Sequence, residues 1–305
     1  MTFEELVAPR NPERFWAETW ERSADHISGR PANHLADVAT GEEIIELLFG
    51  SDGLPAEAVK FYRGSERAPH DSGNGIVPAA KLRELYGRGF TILVESADRF
   101  LPRLASTLAA LEDRFKAKCL AHLVASPAGA EGLAPHSDAY GLFALQIAGA
   151  KTWSLYEDGP RNTVNHGTDR HHLIGAVPTS LVPMAPGDLL YLPRGTIHSA
   201  ASGDQGSIHL ALALIPPRGA DALALLCRAA EEDPFFRGYA PYGILESAGS
   251  RSDYAAEFRA RLEALAAETD IFELLDRRRA ERAAFEKREG RAAPRLAGHG
   301  PTPED

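Results

Sequence analysis

Two stretches decide the fold: residues 142–156, LFALQIAGAKTWSLY, and residues 186–198, PGDLLYLPRGTIH. The first predicts two apolar strands joined by a turn at Gly149-Ala150, which is the pattern of a β-hairpin. The second begins with a Pro-Gly-Asp turn and continues as another apolar strand. A polar turn over residues 202–206 precedes a further predicted strand at residues 207–215. Several short strands punctuated by Gly and Pro favour a double-sheet jelly roll.

A candidate metal site lies on these strands. His136 and Asp138 stand two residues apart, and His198 follows far downstream at the end of the second stretch. Two imidazoles and one carboxylate can occupy one face of an octahedral Fe(II) and leave the other positions open, as in non-haem iron oxygenases. Because residues i and i+2 of a strand point to the same side, we expect His136 and Asp138 on one strand. His198 is then brought alongside from a distant strand.

The motifs around this triad occur in a recognisable order. They are Ser126-Pro127-Ala128-Gly129, His136-x-Asp138, Leu145-Gln146, Gly149-x-Lys151-x-Trp153, and Pro186-Gly187-Asp188 through Pro193-Arg194-Gly195-x-x-His198. In this order and spacing the chain resembles the JmjC-type, cupin-like 2-oxoglutarate oxygenases, and most of all their ribosomal-oxygenase branch. The resemblance implies an α+β fold: a double-stranded β-helix (jelly roll) with flanking N-terminal helices and a C-terminal helical bundle. It also implies a dioxygenase that uses Fe(II), 2-oxoglutarate as cosubstrate and O2 to hydroxylate a peptide or protein side chain.

The resemblance also implies roles for individual residues. The metal ligands are His136, Asp138 and His198, and Lys151 pairs with the distal carboxylate of 2-oxoglutarate. A buried dicarboxylate must meet a cation, since its burial is otherwise very costly.

The chain departs from the family where relatives hold the cosubstrate. His122 and Val124 stand where close relatives have an asparagine and a tyrosine, and Ala211 and Ala213 replace hydroxyl residues. Either His122 and Ser207 supply the missing hydrogen bonds, or the cosubstrate binds more loosely.

Composition narrows the class of partner and compartment. The chain has 305 residues, 44% of them hydrophobic and 25% charged, as in an ordinary globular protein. Its formal net charge of −10 argues against nucleic-acid binding and favours a basic peptide or protein partner. Cys119 and Cys227 form no disulfide framework. We see no membrane span and no signal peptide, so we expect a cytoplasmic protein, and a reducing cytosol also suits Fe(II).

Three regions are predicted along the chain. Residues 1–217 form the oxygenase domain, with the jelly-roll core at about 116–217. Residues 218–287 are helical, because leucines and aromatics recur there at helical spacing. In the resembling family the helices after the barrel form a dimer interface, so a homodimer is expected. Residues 288–305, rich in Gly and Pro, are expected to be a disordered tail.

Alternatives remain open at this point. The chain is also compatible with a hydroxylase of a peptide natural product or small molecule, with a demethylase, and with a non-catalytic metal-binding cupin module. His166, His171 and His172 lie in a polar stretch that predicts a solvated loop. His209 is in phase with Ala211 on a predicted strand, and it is compatible with either the metal cavity or a hydrogen-bonded core position.

Overall fold

The structure is a computed structural model that describes residues 1–50, 52–68, 75–156, 176–244 and 248–288. The chain divides into two compact units, one built from Met1–Ile215 and the other from Pro216–Ala293. Among the described helices, none combines the length and the apolar character that crossing a bilayer requires.

The first unit is built on antiparallel strands. Their bounds are β1 Asp25–Ile27, β2 Leu54–Pro55, β3 Val59–Arg63, β4 Glu66–Arg67, β5 Ile76–Val77, β6 Thr91–Val94, β7 Lys118–Ser126, β8 Gly141–Leu155, β9 Ser180–Met184, β10 Leu189–Leu192 and β11 His198–Ile215. The main sheet has the order β1-β10-β8-β11-β7-β6-β3-β4, and β9 pairs with β8. Strands β2 and β5 pair separately. The long strands β8 and β11 therefore connect all the strands that surround the predicted site.

The two long strands correct two sequence predictions. The predicted hairpin at Gly149-Ala150 is wrong, because β8 runs without a turn from Gly141 to Leu155. The separate strand predicted from residue 207 is likewise part of β11, which begins at His198. Gly149 and Gly206 both adopt positive φ, and a Cβ on Gly149 would stand 2.1 Å from the Gly206 carbonyl oxygen. The two glycines thus allow β8 and β11 to bend together where the pairing register between them shifts, and the chain does not reverse there.

Helices cover the first unit. Their bounds are α1 Phe3–Val7, α2 Pro12–Arg14, α3 Gly41–Ile45, α4 Ala79–Gly87 and α5 Pro102–Phe115, with π-helical turns at Phe15–Thr19 and Glu46–Gly50 and 3₁₀ turns at Ala56–Ala58 and Ala97–Arg99. Helix α5 buries Leu104, Leu108 and Leu111, the stripe that its periodicity predicts. Phe3 and Phe15 pack against Phe143 of β8. The N-terminal segment is therefore anchored to the sheet by aromatic contacts.

Strand periodicity separates an apolar face from an inner face. On β11, Ile208, Leu210, Leu212 and Leu214 join the main hydrophobic core with Leu123 of β7 and Phe143 of β8. The alternate residues point to the opposite side, because successive side chains of a strand face opposite ways. We call this side the inner face; it carries Leu142, Ala144, Gln146, Lys151 and Trp153 of β8, His122 and Ser126 of β7, and Ser207, His209 and Ala211 of β11. The inner face therefore holds the polar residues of the predicted site.

The second unit is helical. It contains α6 Gly219–Ala230, α7 Pro234–Arg237, α8 Ala248–Glu268 and α9 Ile271–Arg288. The Asp270 carboxylate accepts a hydrogen bond from the Phe272 amide and so caps the N-terminus of α9. Phe235 stacks on Tyr254 at 5.2 Å between ring centroids, which ties α7 to α8. The predicted tail lies outside the described residues from 289 onward.

Candidate metal and cosubstrate site

His136 and His198 are held side by side by the backbone. The amide of His136 donates to the His198 carbonyl at 3.0 Å, and the amide of His198 donates to the His136 carbonyl at 2.8 Å. This exchange of both bonds is the hydrogen-bonded pair of an antiparallel ladder. The two imidazole centroids lie 4.4 Å apart. The spacing of the two rings is therefore set by main-chain pairing.

Both rings are oriented by carbonyls of their own loops. His136 Nδ1 lies 2.8 Å from the Ala134 carbonyl oxygen, and His198 Nδ1 lies 3.0 Å from that of Thr196. A carbonyl can only accept, so each Nδ1 carries the proton and each Nε2 keeps its lone pair. Burial, with His136 as a second cause, lowers the pKa of His198 to about 4. The His198 ring is thus neutral near pH 7, as a metal ligand must be.

Asp138 completes the cluster from a loop. Its carboxylate oxygen lies 3.8 Å from His198 Nε2, and ligand atoms of His136, Asp138 and His198 all lie within 4.8 Å of one another. The expected strand setting of the His-x-Asp pair is wrong, because residues 127–140 connect β7 to β8 and form only isolated bridges, at Leu133 and His136, among the described residues. The Gly195 amide donates to the Asp138 carbonyl at 2.8 Å and fixes this loop. Two imidazoles and one carboxylate at this spacing fit a facial Fe(II) site.

Lys151 is buried on the inner face, with 3% of its surface exposed. Its Nζ donates to Ser126 Oγ at 3.0 Å, and Thr91 Oγ1 donates to the same oxygen at 3.0 Å. Burial lowers the pKa of Lys151 to about 7. No carboxylate within the described part of the chain pairs with this ammonium. A buried cation in this setting fits an anionic ligand group.

A family model for the JmjC domain matches residues 96–222. This segment is a JmjC domain. The match covers the last part of the N-terminal region, the strands β7 to β11 and the first residues of α6. The JmjC domain therefore contains all three predicted metal ligands and Lys151.

Curated relatives of this JmjC domain are named as oxygenases. The chain is 30% identical over 226 residues to ribosomal oxygenase 1 of Homo sapiens, covering 69% of this chain and 34% of the relative. It is 26% identical over 217 residues to the bifunctional lysine-specific demethylase and histidyl-hydroxylase NO66 of Drosophila mojavensis, covering 68% and 24%. The chain thus spans about a quarter to a third of the length of these relatives. The resemblance to the ribosomal-oxygenase branch is confirmed.

Solved structures share the fold. A structure of YcfD, a ribosomal oxygenase from Escherichia coli in complex with cobalt and 2-oxoglutarate, superimposes with a TM-score of 0.54 at 13% identity, covering 88% of this chain and 71% of that one. An X-ray structure of Escherichia coli YcfD gives the same TM-score over 86% and 69%. At this identity the likeness concerns the fold alone. The predicted α+β jelly roll of the JmjC domain is confirmed.

His122 and Ser207 both lie on the inner face of the JmjC domain. Ser207 is buried, and its hydroxyl accepts a hydrogen bond from Gln146 Nε2 at 2.9 Å. His122 pairs in register with Ala211, and its buried Nδ1 has no partner among the described residues. Burial lowers the pKa of His122, so the ring is neutral near pH 7. Both side chains face the site, and their contact with a cosubstrate stays a prediction.

The sequence pattern does not predict the contacts that Ser126 and His209 make in the structure. Ser126 was noted only as part of a motif, yet its hydroxyl is the hydrogen-bond partner of Lys151. His209 lies buried on the inner face beside Trp153. The alternation of His209 with Ala211 predicts that both side chains lie on the same face of the strand. The residues that contact His209 on the neighbouring strands are known only from the strand pairing.

Other residues considered from the sequence have structural contacts. Arg194 donates to the Glu21 carboxylate at 2.6 Å, which fits an ion-pair role. The Asp188 carboxylate accepts from the Ala185 amide at 2.9 Å and shapes the predicted turn. Trp153 packs in the apolar cluster of the inner face. His166, His171 and His172 lie outside the described residues.

Proposed function

We propose that this protein is an Fe(II)- and 2-oxoglutarate-dependent dioxygenase that hydroxylates a peptide or protein side chain. The observation that carries the proposal is that three candidate metal ligands and a buried lysine lie in the same interior of the JmjC domain. His136, Asp138 and His198 converge to within 4.8 Å, and the buried Lys151 lies on the inner face that also carries Trp153. Trp153 in turn contacts His198, with 5.4 Å between ring centroids. A metal site and an anion site are thus neighbours in one interior.

In the proposed activity each residue has a distinct task. His136, Asp138 and His198 hold Fe(II), and Lys151 holds the distal carboxylate of 2-oxoglutarate. When bound, Fe(II) with 2-oxoglutarate and O2 supplies the oxidising chemistry that hydroxylates a C–H bond.

The chain itself contributes orientation and a dry interior. The carbonyls of Ala134 and Thr196 keep both Nε2 lone pairs directed away from their loops. Leu142, Leu190 and Leu192 are buried in the cluster that includes Trp153, and they exclude water beside the site. Burial raises the pKa of Tyr140, and the nearby Asp138 carboxylate raises it further. The phenol therefore stays protonated and supports the carboxylate ligand.

The substrate class rests on two further supports. Relatives of the chain carry the names ribosomal oxygenase and histidyl-hydroxylase, both of which describe oxidation of proteins. The net charge of −10 disfavours a phosphate backbone and favours a basic peptide or protein. We therefore infer a protein partner rather than a nucleic acid.

The test measures succinate release and oxygen incorporation. The purified protein is incubated with Fe(II), ascorbate and 2-oxoglutarate in the presence of a cell-extract protein pool, a small-molecule extract or defined nucleic acids. We expect succinate formation coupled to a mass gain of one oxygen atom on a peptide. His136→Ala removes a proposed ligand and should abolish both signals, whereas the matched control His34→Ala should leave both unchanged, since it replaces a histidine whose ring nitrogen lies 3.2 Å from the Glu5 carbonyl oxygen.

The alternatives predict different results in the same assay. Oxidation of a small molecule without any modified peptide would favour the natural-product hydroxylase. Formaldehyde release from a methylated peptide would favour a demethylase. Metal binding without 2-oxoglutarate turnover in any pool would favour a non-catalytic cupin module.

We also propose that the protein is a cytoplasmic homodimer that associates through its helical unit. Leu223 of α6, Phe258 of α8 and Phe272 of α9 are 58%, 40% and 80% exposed. Large apolar side chains exposed on several helices of one unit support an association surface. The free thiols of Cys119 and Cys227 suit a reducing compartment.

A further inference from the structure

Three nitrogen atoms on the inner face are buried without hydrogen-bond partners among the described residues: His122 Nδ1, His209 Nδ1 and Trp153 Nε1. Of their residues, His209 and Trp153 are the most deeply buried, at 4% and 3% exposed. A buried polar group without a partner costs about 1–3 kcal/mol, so such groups are rare unless a ligand satisfies them. Neither ring nitrogen of His209 bonds to any described residue. The sequence alternative of a hydrogen-bonded core histidine therefore does not hold.

His209 lies near the metal ligands and near Lys151. Its ring makes an edge contact with Trp153 at 5.4 Å, and Trp153 lies at the same distance from the His198 ring. Lys151 is close enough for its charge to act on the His209 ring. In register, His209 stands beside Gln146 of β8 and Val124 of β7. A ligand bound on the inner face by the metal ligands and Lys151 would therefore have the His209 ring near it.

Two other roles for His209 fit the structure less well. It is not a fourth metal ligand, because the cluster found among the described residues contains only His136, Asp138 and His198. It is not an ion-pair partner, because no carboxylate of the described chain contacts it. A neutral imidazole in this position offers one N–H donor and one acceptor. An anionic ligand group beside Lys151 would use the donor.

We propose that His209 binds the distal carboxylate of 2-oxoglutarate together with Lys151. The assignment rests on the proposed function. Lys151 holds one carboxylate oxygen by charge, and His209 donates an N–H to the other. Ala211 and Ala213 of the same strand carry no polar side-chain group, whereas His209 next to them offers an N–H donor. His209 thus contributes to the preference for a dicarboxylate.

The test compares two ligands that differ only at the distal end. The probes are 2-oxoglutarate and 2-oxobutyrate, which lacks the distal carboxylate, and binding to the Mn(II)-loaded protein is measured by calorimetry. His209→Leu removes the donor and should weaken 2-oxoglutarate binding by about tenfold, as expected for a hydrogen bond to a charged group. Binding of 2-oxobutyrate and of Mn(II) should be unchanged. His209→Gln keeps an N–H donor and should restore most of the affinity.

A matched control and a wild-type measurement separate binding from packing. Val124→Ala alters a buried inner-face neighbour of His209 without removing a polar group, and it should affect both ligands alike. In wild-type protein with ¹⁵N-labelled histidine and Zn(II), 2-oxoglutarate should shift the His209 ring nitrogens and 2-oxobutyrate should not. The His209 signals are assigned by their loss in His209→Gln.

The outcomes distinguish this assignment from the proposed function. Equal weakening of both ligands in His209→Leu, or unshifted His209 nitrogens with bound 2-oxoglutarate, would overturn the assignment alone. Absence of metal-dependent 2-oxoglutarate binding in the wild type would overturn the proposed function and the assignment together.

Discussion

The proposed contact between Lys151 and 2-oxoglutarate predicts that binding of the cosubstrate depends on pH. Burial lowers the pKa of Lys151 to about 7 in the cosubstrate-free protein. Only the protonated ammonium can pair with a carboxylate, and pairing raises the pKa again in the complex. Above pH 7 the protein must therefore take up a proton when 2-oxoglutarate binds. Linkage then predicts that the dissociation constant rises with pH above 7, by about tenfold between roughly pH 6 and pH 8.

The measurement is calorimetric titration of the Mn(II)-loaded protein with 2-oxoglutarate across this range. Repeating it in buffers of different ionisation enthalpy counts the protons taken up. Lys151→Arg keeps a cation whose pKa stays far above this range, so its binding should be nearly independent of pH. Lys151→Ala should weaken binding by about ten- to a hundredfold at pH 6, because it removes a charge-assisted hydrogen bond of roughly 1.5–3 kcal/mol. The titration of 2-oxobutyrate serves as the control, since it lacks the distal carboxylate.

Two results would refute this reasoning. A pH-independent affinity with no proton uptake in the wild type would mean that Lys151 is already fully protonated or does not contact the ligand. An unchanged affinity in Lys151→Ala would remove the lysine from the cosubstrate site altogether.

Three further predictions concern metal binding, stability and assembly. His136→Ala or His198→Ala should abolish stoichiometric Mn(II) binding with an unchanged circular dichroism spectrum, and full metal occupancy in both variants would remove them as ligands. Lys151→Met should raise the free energy of unfolding at pH 7 by a few kcal/mol, since each unit of the depressed pKa corresponds to about 1.4 kcal/mol. Between the folded pKa of about 7 and the ordinary value of 10.5, the native state binds fewer protons than the unfolded state, so wild-type stability should rise with pH across that window. The extra stability of Lys151→Met over the wild type should therefore shrink and vanish by pH 10.5. Denaturant titrations in which Lys151→Met is still more stable than the wild type at pH 10.5 would contradict the burial argument. Light scattering at micromolar concentration should give about twice the chain mass of 32.9 kDa, and a mass that stays at one chain would refute the homodimer.

The fold class was predictable because its signals are local. Apolar strands separated by Gly and Pro indicate a jelly roll, and leucines and aromatics at helical spacing indicate the helices of residues 218–287. The three candidate metal ligands also followed from residue type and order. The reason is that donor chemistry restricts the ligand set more tightly than backbone conformation does.

The sequence predictions are wrong where the backbone conformation depends on contacts with residues far away in the chain. Gly149 is as compatible with a turn as with a bend inside a strand, and only its approach to Gly206 across the sheet selects the bend. The loop setting of Asp138 depends in the same way on a hydrogen bond from Gly195. His209 was on the expected strand, but its unsatisfied nitrogen became apparent only once Trp153 and Lys151 were placed beside it.

The bridge between His136 and His198 bears on which ions the protein can accept. Two reciprocal main-chain hydrogen bonds fix these two proposed ligands, whereas Asp138 belongs to a loop and its carbonyl accepts one hydrogen bond from the Gly195 amide. The positions of His136 and His198 are therefore rigid, whereas the Asp138 carboxylate can adjust to a different metal–oxygen distance. Such a site discriminates poorly by ionic radius among divalent first-row metals. Its occupant in a cell is then determined by the relative affinities and supply of those metals rather than by size.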